Sequence, residues 1–413
     1  MSTERAILHS DLNAFYASVA TVLDPSLAGK AVAVCGSEAE RHGIVLAKSE
    51  KAKKAGITTG MVTWQARQKC PDLIIVPPDF GAYSLFSKKV REIYWRYTDL
   101  VEPFGLDECW LDVTGSTKCF GTPLEIANEI RETVKKELGL TVSVGVSFNK
   151  VFAKLGSDLK KPDAVTEITK ENFKELVWPL PLSDLLYAGR SVSEKLGNIG
   201  IRTIGALAQL DKDIALKLLG KNGEMLWCYA NGLDNSPVMH KDTKIPAKSV
   251  SHGITCAKNL TTPEAVYAVM LGLCQDIAPR LRAEHQLAEG VQIEIKDSHL
   301  AVKQWSAMLP YATDSRRIIA DAAFALFKKN YHFHAPVRAV SVRATRLIEE
   351  GTGEQMDLLT DYSKREKLSK LEVAMDEIAG RFGRSAILPA AVLSEKDAAN
   401  TEEKESVLPH SIK

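Results

Sequence analysis

The 413-residue chain lacks any run of about 18 consecutive apolar residues, the length a helix needs to cross a bilayer, so no membrane span is expected. It also lacks a basic-then-apolar leader. Met1-Ser2-Thr3-Glu4-Arg5 runs straight into a short apolar stretch, and no signal peptide is expected. Its seven cysteines (Cys35, Cys70, Cys109, Cys119, Cys228, Cys256 and Cys274) form no C-x-x-C pair and are odd in number. That argues against a zinc framework or a disulfide scaffold and fits a reducing cytoplasm. Internal repeats are absent. Net charge is only +1, from 53 basic and 52 acidic residues, which alone argues against a nucleic-acid binder. What is present is an ordinary globular composition, 45% hydrophobic and 25% charged, over a length suited to about two to four domains.

The charge is unevenly spread. Residues 236–348 hold 15 Lys+Arg against 9 Asp+Glu, net +6, and residues 349–413 hold 9 against 14, net −5. A basic segment followed by an acidic tail fits a phosphate-binding module whose tail stays off the polyanion. Charge alone does not separate that reading from chance unevenness.

Ala6-Ile7-Leu8-His9-Ser10-Asp11 reads as a short buried strand ending in a carboxylate. Helices are expected over Phe15 to Leu23, stopped by Asp24-Pro25, and over Lys48 to Ala55, closed by Gly56. Another is expected over Tyr83 to Tyr97, where Phe86, Val90, Ile93, Tyr94 and Tyr97 fall near helical spacing. Ala31 to Cys35 reads as a strand. Val101-Glu102-Pro103-Phe104 and Cys109-Trp110-Leu111-Asp112-Val113 read as two strands around an acidic tip. A helix over Pro123 to Leu138 repeats Ile126, Ile130, Val134 and Leu138 along one face and ends at Gly139. Thr141 to Ser147 alternates as a strand, and Val151 to Leu159 is helical again. The order strand–helix–strand–strand–helix–strand predicts a ferredoxin-like sheet with helices on one face, and the segment up to Pro77-Pro78 reads as an insertion in it. Residues 170–235 read as all helical, 236–247 as an exposed linker, and 248–348 as mixed α/β. A helix is expected over 363–382 and disorder over 394–413.

Four constellations carry chemistry. Asp11 ends one strand, and Asp107-Glu108 sits at the tip of a hairpin whose strands should lie beside it. Three carboxylates at one sheet end would hold two divalent cations, and hard oxygen donors suit magnesium. Neighbouring strand residues face opposite sides, so the backbone must turn there, and Gly105 can permit it. Phe15-Tyr16 would place a ring under a nucleotide sugar and exclude a 2′-hydroxyl. Lys53 and Lys161 offer point charges for phosphate. Leu185 to Val192, with Ala188, Gly189 and Arg190 at its turn, would grip one DNA phosphate through backbone N–H groups. Taken singly, each also fits a bland reading: surface carboxylates, core aromatics, solvated lysines, a plain helix turn.

Taken in order, Ser10 to Val19, Gly105 to Asp112, and Gly145 to Lys150 running on to Lys161-Pro162 resemble the Y-family DNA polymerases over about residues 5–350. The resemblance implies an α+β multidomain right hand: a ferredoxin-like palm (1–14 and 79–168), small fingers (15–78), a helical thumb (169–235) with a helix-hairpin-helix, the linker 236–247, and an α/β little-finger domain (248–348). It implies a low-fidelity translesion DNA polymerase acting on primer–template DNA and dNTPs with two Mg2+ ions. Asp11, the main-chain carbonyl of Leu12, Asp107 and Glu108 match the metal ligands. Tyr16, with Phe15 beside it, matches the gate against ribonucleotides, and Lys161 a triphosphate contact. Gln355-Met356-Asp357-Leu358-Leu359 resembles the peptide that binds the bacterial sliding clamp, with Gln355, Leu358 and Leu359 as anchors within a 349–393 segment. There are departures. Ser49-Glu50 and Lys53 stand where the family often has Asn-Tyr and Arg, Asn13 replaces a frequent carboxylate, and Gly105 a frequent serine. A monomer is expected. Two other readings remain: a weakly catalytic DNA- and clamp-binding scaffold, which Glu50 favours, and a nucleotide cyclase, which the hairpin and basic module disfavour.

Overall fold

Strand Ile7–Leu12 is buried along its whole length because both faces of its sheet are covered. Leu8 and Leu12 pack into a core with Val90 and Ile93 of helix Phe80–Tyr94 and Ile126, Ile130 and Val134 of helix Pro123–Leu138. Ile7 faces the other way, against Trp110, Ala153 and Val238. The computed structural model describes residues 4–39, 41–352, 362–383 and 386–393. By its contacts the chain divides into two units: residues 4–36 with 44–243, and residues 37–43 with those from 244 on.

The central sheet of the first unit runs Val101–Pro103, Glu108–Asp112, Ile7–Leu12, Val142–Ser147, Val165–Ile168. The first four are antiparallel neighbours in ferredoxin-like order, and the fifth adds in parallel. The expectation of helices on one face is incomplete, since helix Lys150–Leu159 covers the opposite face. Gly145 allows this: a Cβ there would lie 1.9 Å from the carbonyl oxygen of Ala153. The helix backbone thus rests directly on the strand, which brings Lys154 and Ser157 beside His9 and Glu108.

The insertion folds as a three-stranded sheet, Val45–Lys48, Val32–Cys35, Ile74–Val76, with helices Glu50–Lys54 and Thr63–Lys69. Two of these strands have only four and three residues, too short to show a period in sequence. The lysine-rich helix is shorter than expected: Lys48 belongs to the strand, and Ser49 caps the helix by accepting a bond from the Ala52 N–H. Helices follow from Phe173 to Ala230 around a separate apolar core. The first half of the expected linker is fastened down. Arg5 donates to the Ser236 carbonyl, the Met239 N–H to Glu102, and Lys241 to Asp99, while Val238 is buried.

The second unit is a four-stranded antiparallel sheet, Val302–Thr313, Gln286–Asp297, Val337–Glu349, Ser249–Leu260. Helices Pro263–Ala283 and Arg316–Asn330 pack on it through Val291, Ile293, Ile295, Val340, Val342 and their partners. Residues between these inward positions face the other way. They form cross-strand rows of Ser251, Arg343, Gln292 and Ser306, and of Gly253, Ser341, Glu294 and Gln304. Helix Tyr362–Phe382 is held to this unit by Glu372, only 2% exposed. Its carboxylate accepts from Ser315 Oγ at 2.7 Å and from the backbone N–H of Arg316 and Arg317 at 2.9 and 3.3 Å, so it caps a helix other than its own. Asp376 completes the clamp on Arg282 and Arg316.

Glu372→Ala removes an acceptor from two buried donors and a part-buried one, and one carboxylate from Arg282 and Arg316. It should cost about 3–5 kcal/mol in the second unit, and Glu372→Gln less. Hydrogen exchange of helix Arg316–Asn330 in the full chain checks this; unchanged protection in Glu372→Ala would contradict it.

Candidate active site

Asp11 and Glu108 are directly opposed partners on adjacent strands. Asp107 lies in the bend just before strand Glu108–Asp112, and its carbonyl accepts from the Leu12 N–H at 3.0 Å. Gly105 takes φ +92, so the turn needed to aim two consecutive carboxylates exists where it was expected. Leu12 is the last residue of its strand, 3% exposed.

The three carboxylates have different environments. Burial, then Asp11 and Glu108, push Asp107 up to about 6. Burial also raises Asp11, against the pull of Lys161, whose Nζ lies 2.8 Å from Asp11 Oδ2. Glu108 is buried too, but His9 and Lys154 outweigh that and hold it at about 2. Lys154 pairs with Glu108 Oε2, and His9 Nε2 lies 3.2 Å from the same oxygen. His9 is fully buried, and burial lowers its proton affinity; its Nδ1 bonds Ser157 Oγ at 2.8 Å. Among the described residues no three His, Cys, Asp or Glu side chains already converge as a metal cage. Asp11 and Glu108 are instead paired with Lys161 and Lys154. The donor set nonetheless fits a small divalent cation: hard oxygens at one sheet end, mutually repelling enough to raise Asp107.

An open pocket of about 130 Å³ adjoins this end, lined by Asp11, Asn13, Ala14, Lys48, Glu50, Lys53 and Lys161. It unites Asp11, Lys53 and Lys161, three of the residues singled out in the sequence. Lys161 also pairs with Asp158 at 2.7 Å, and Lys53 lies 4.0 Å from Glu50. Asn13 is structural: it donates to Ser143 Oγ and accepts from the Asp163 N–H, tying the strand end to the loop that carries Lys161. Phe15 is core, 3% exposed. Tyr16 is half-buried and stacks on Tyr83, ring centroids 4.0 Å apart at 11°, with Phe80 edge-on. Asp107 is near enough to raise the Tyr16 phenol, after burial.

The hairpin residues lie in the helical region with its own core. Ala188 is buried, Gly189 is the N-cap of helix Arg190–Gly197, and no side chain caps that helix. Arg190 is open to solvent and pairs with Glu194 at 2.6 Å. Gln355, Leu358 and Leu359 lie outside the described residues, as does the 394–413 tail. Sequence reasoning missed His9, Lys48, Tyr83 and Lys154. His9 sits two residues before Asp11, on the same strand face, and that period was a usable signal. The other three come from elements whose contact with the site only the fold shows.

Asp107→Asn removes a charge that folding disfavours. A rise from 3.8 to about 6 makes the ionised group cost on the order of 2–3 kcal/mol above pH 6. Without divalent cation, the variant should therefore melt higher than wild type at pH 7. That gain should shrink as pH falls from 6 towards 4 and vanish only below the unfolded value of 3.8, where the carboxyl is protonated in both states. Equal melting at pH 7 would contradict it.

The impB/mucB/samB family model matches residues 10–158, and the model of that family's C-terminal domain matches residues 247–358. The chain is 48% identical over 393 residues to the DNA polymerase IV of Acetivibrio thermocellus, covering 95% of this chain and 98% of that protein. It is 35% identical over 395 residues to DNA polymerase IV 1 of Bacillus subtilis, covering 95% and 94%. Among solved structures, the Y-family DNA polymerase chimera Dbh-Dpo4(243-245)-Dbh aligns with a TM-score of 0.74 over 84% of this chain and all of that one; at 22% identity this likeness is one of fold. With both models matched in order and DNA polymerase IV relatives spanning nearly its whole length, the chain belongs to the impB/mucB/samB family.

Proposed function

We propose that this chain is a template-directed DNA polymerase that performs translesion synthesis with low fidelity. The primer 3′-hydroxyl attacks the α-phosphate of a paired deoxynucleotide, and pyrophosphate leaves. The observation that carries this reading is the acidic sheet end, Asp11 opposite Glu108 with Asp107 at the bend, beside a lysine-lined pocket. Held by Asp11, the Leu12 carbonyl, Asp107 and Glu108, two magnesium ions would sharpen the primer hydroxyl as a nucleophile and offset the charge of the triphosphate and leaving group.

The chain's own residues do the rest. Tyr16, backed by Tyr83 and edged by Phe80, is a braced wall rather than a free ring, and a 2′-hydroxyl on the sugar above it would clash. Lys161 and Lys53 line the pocket that receives the triphosphate. Lys161 already holds an oxyanion, the Asp11 carboxylate, and can exchange it for a phosphate oxygen. The uncapped N-terminus at Gly189 and Arg190 offers backbone N–H groups to a DNA phosphate, and a Cβ at Gly189 would meet nothing within 4 Å. The open sheet face of the second unit is small and polar, with Arg343 among Ser251, Gln292 and Ser306, a surface a DNA backbone can approach closely. Gln355, Leu358 and Leu359 serve as a clamp-binding peptide, and the protein works as a monomer in the cytoplasm. Among the described residues no helix is long and apolar enough to cross a membrane. The scaffold reading is not favoured, since all three carboxylates are in place, and a cyclase would leave the DNA-facing surfaces without a role.

Primer extension across a damaged template tests this. Wild type should extend with deoxynucleotides, and Asp107→Ala should lose roughly a hundred- to a thousandfold in rate. Tyr16→Ala should admit ribonucleotides while still using deoxynucleotides. Arrest at every lesion with accurate copying of undamaged DNA would overturn the reading.

A further inference from the structure

The three lysines of the pocket are not equivalent. Lys161 is committed to Asp11 and Asp158, and Lys53 has Glu50 at 4.0 Å. Lys48 has no ion pair among the described residues; its Nζ donates to the neutral Thr59 Oγ1 at 3.0 Å. Of the lining side chains, three lysines face two carboxylates, Asp11 and Glu50, so the pocket carries one positive charge in excess. Lys48 is the side chain that supplies it. Burial, then the like charge of Lys53, disfavour its ammonium, only partly relieved by Glu50.

The position is also built. Lys48 is the last residue of strand Val45–Lys48, next to the cap of the following helix, so its stem leaves from regular backbone. Thr59 Oγ1 then fixes its tip. A half-buried cation in such a pocket, without an acidic partner, is suited to an oxyanion of a ligand. We propose that Lys48 is a third cationic contact for the triphosphate of the incoming nucleotide, beside Lys53 and Lys161. This rests on the polymerase reading of the site. Lys48 would contact the phosphates and not the base, because the other two cations lining the pocket, Lys53 and Lys161, are the ones that the polymerase reading gives to the triphosphate.

A lysine binds phosphate as a point charge, so its loss should weaken nucleotide binding in ground and transition states alike. Single-nucleotide insertion with each of the four dNTPs is the test, comparing wild type, Lys48→Met and Lys48→Arg. Lys48→Met, which keeps the apolar stem, should raise KM by about tenfold for all four nucleotides and change kcat by less than about twofold. Lys48→Arg should restore most of the loss. Inhibition by inorganic pyrophosphate should weaken in Lys48→Met as well. Thr59→Val controls for the lost tip contact and should shift KM less. An unchanged KM would overturn the inference, as would a rise confined to purine or to pyrimidine nucleotides, which marks a base contact. If wild type extends no primer at all, the polymerase reading fails; if it extends and Lys48→Met matches it, only the Lys48 inference fails.

Discussion

Three carboxylates at one end of a buried sheet repel one another, and much of the first unit's polar architecture answers that repulsion. Lys161 reaches Asp11 from a loop held by Asn13, while Lys154 reaches Glu108 from helix Lys150–Leu159 and His9 reaches it from the neighbouring strand. Among the described residues Asp107 has no ion pair, and its carboxyl is pushed up to about 6. The stability cost of this arrangement falls on Asp107 and, opposed by Lys161, on Asp11, the pattern expected where a site is organised for a cation rather than for the apo fold. The close contact of helix Lys150–Leu159 on Gly145 makes it possible, since any side chain at Gly145 would push Lys154 and Ser157 away.

The second unit solves a different problem. One sheet face must be apolar to bury two helices, and the other must be small and polar to stay open. Its strongest polar device lies elsewhere, where Glu372 caps helix Arg316–Asn330 and, with Asp376, engages Arg316. This anchors helix Tyr362–Phe382 to the basic module through a buried network of charged groups.

The ferredoxin-like order was legible because its long elements carry clean periods: helix Pro123–Leu138 begins and ends where its apolar repeat and Gly139 place it. The paired carboxylates and the Gly105 turn were legible for the same reason, since a hairpin has one tip. The small insertion sheet was not, because strands of three and four residues show no period. That is also why Lys48 was read as the start of a helix and its place in the pocket was missed. Helix Lys150–Leu159 was seen, but not its face, since packing over Gly145 leaves no hydrophobic signal. The tethering of Met239 and Lys241 was not legible because their partners, Glu102 and Asp99, lie more than 130 residues away.

The mutual repulsion of Asp11, Asp107 and Glu108 should be relieved by a divalent cation. Thermal melting of the full-length protein with increasing magnesium, in the absence of DNA and nucleotide, tests it most directly. Wild type should gain stability with magnesium concentration as binding to the folded state requires, and Asp107→Asn, already relieved of its charge, should gain much less. Equal gains in the two proteins would contradict the claim, because magnesium would then be acting elsewhere.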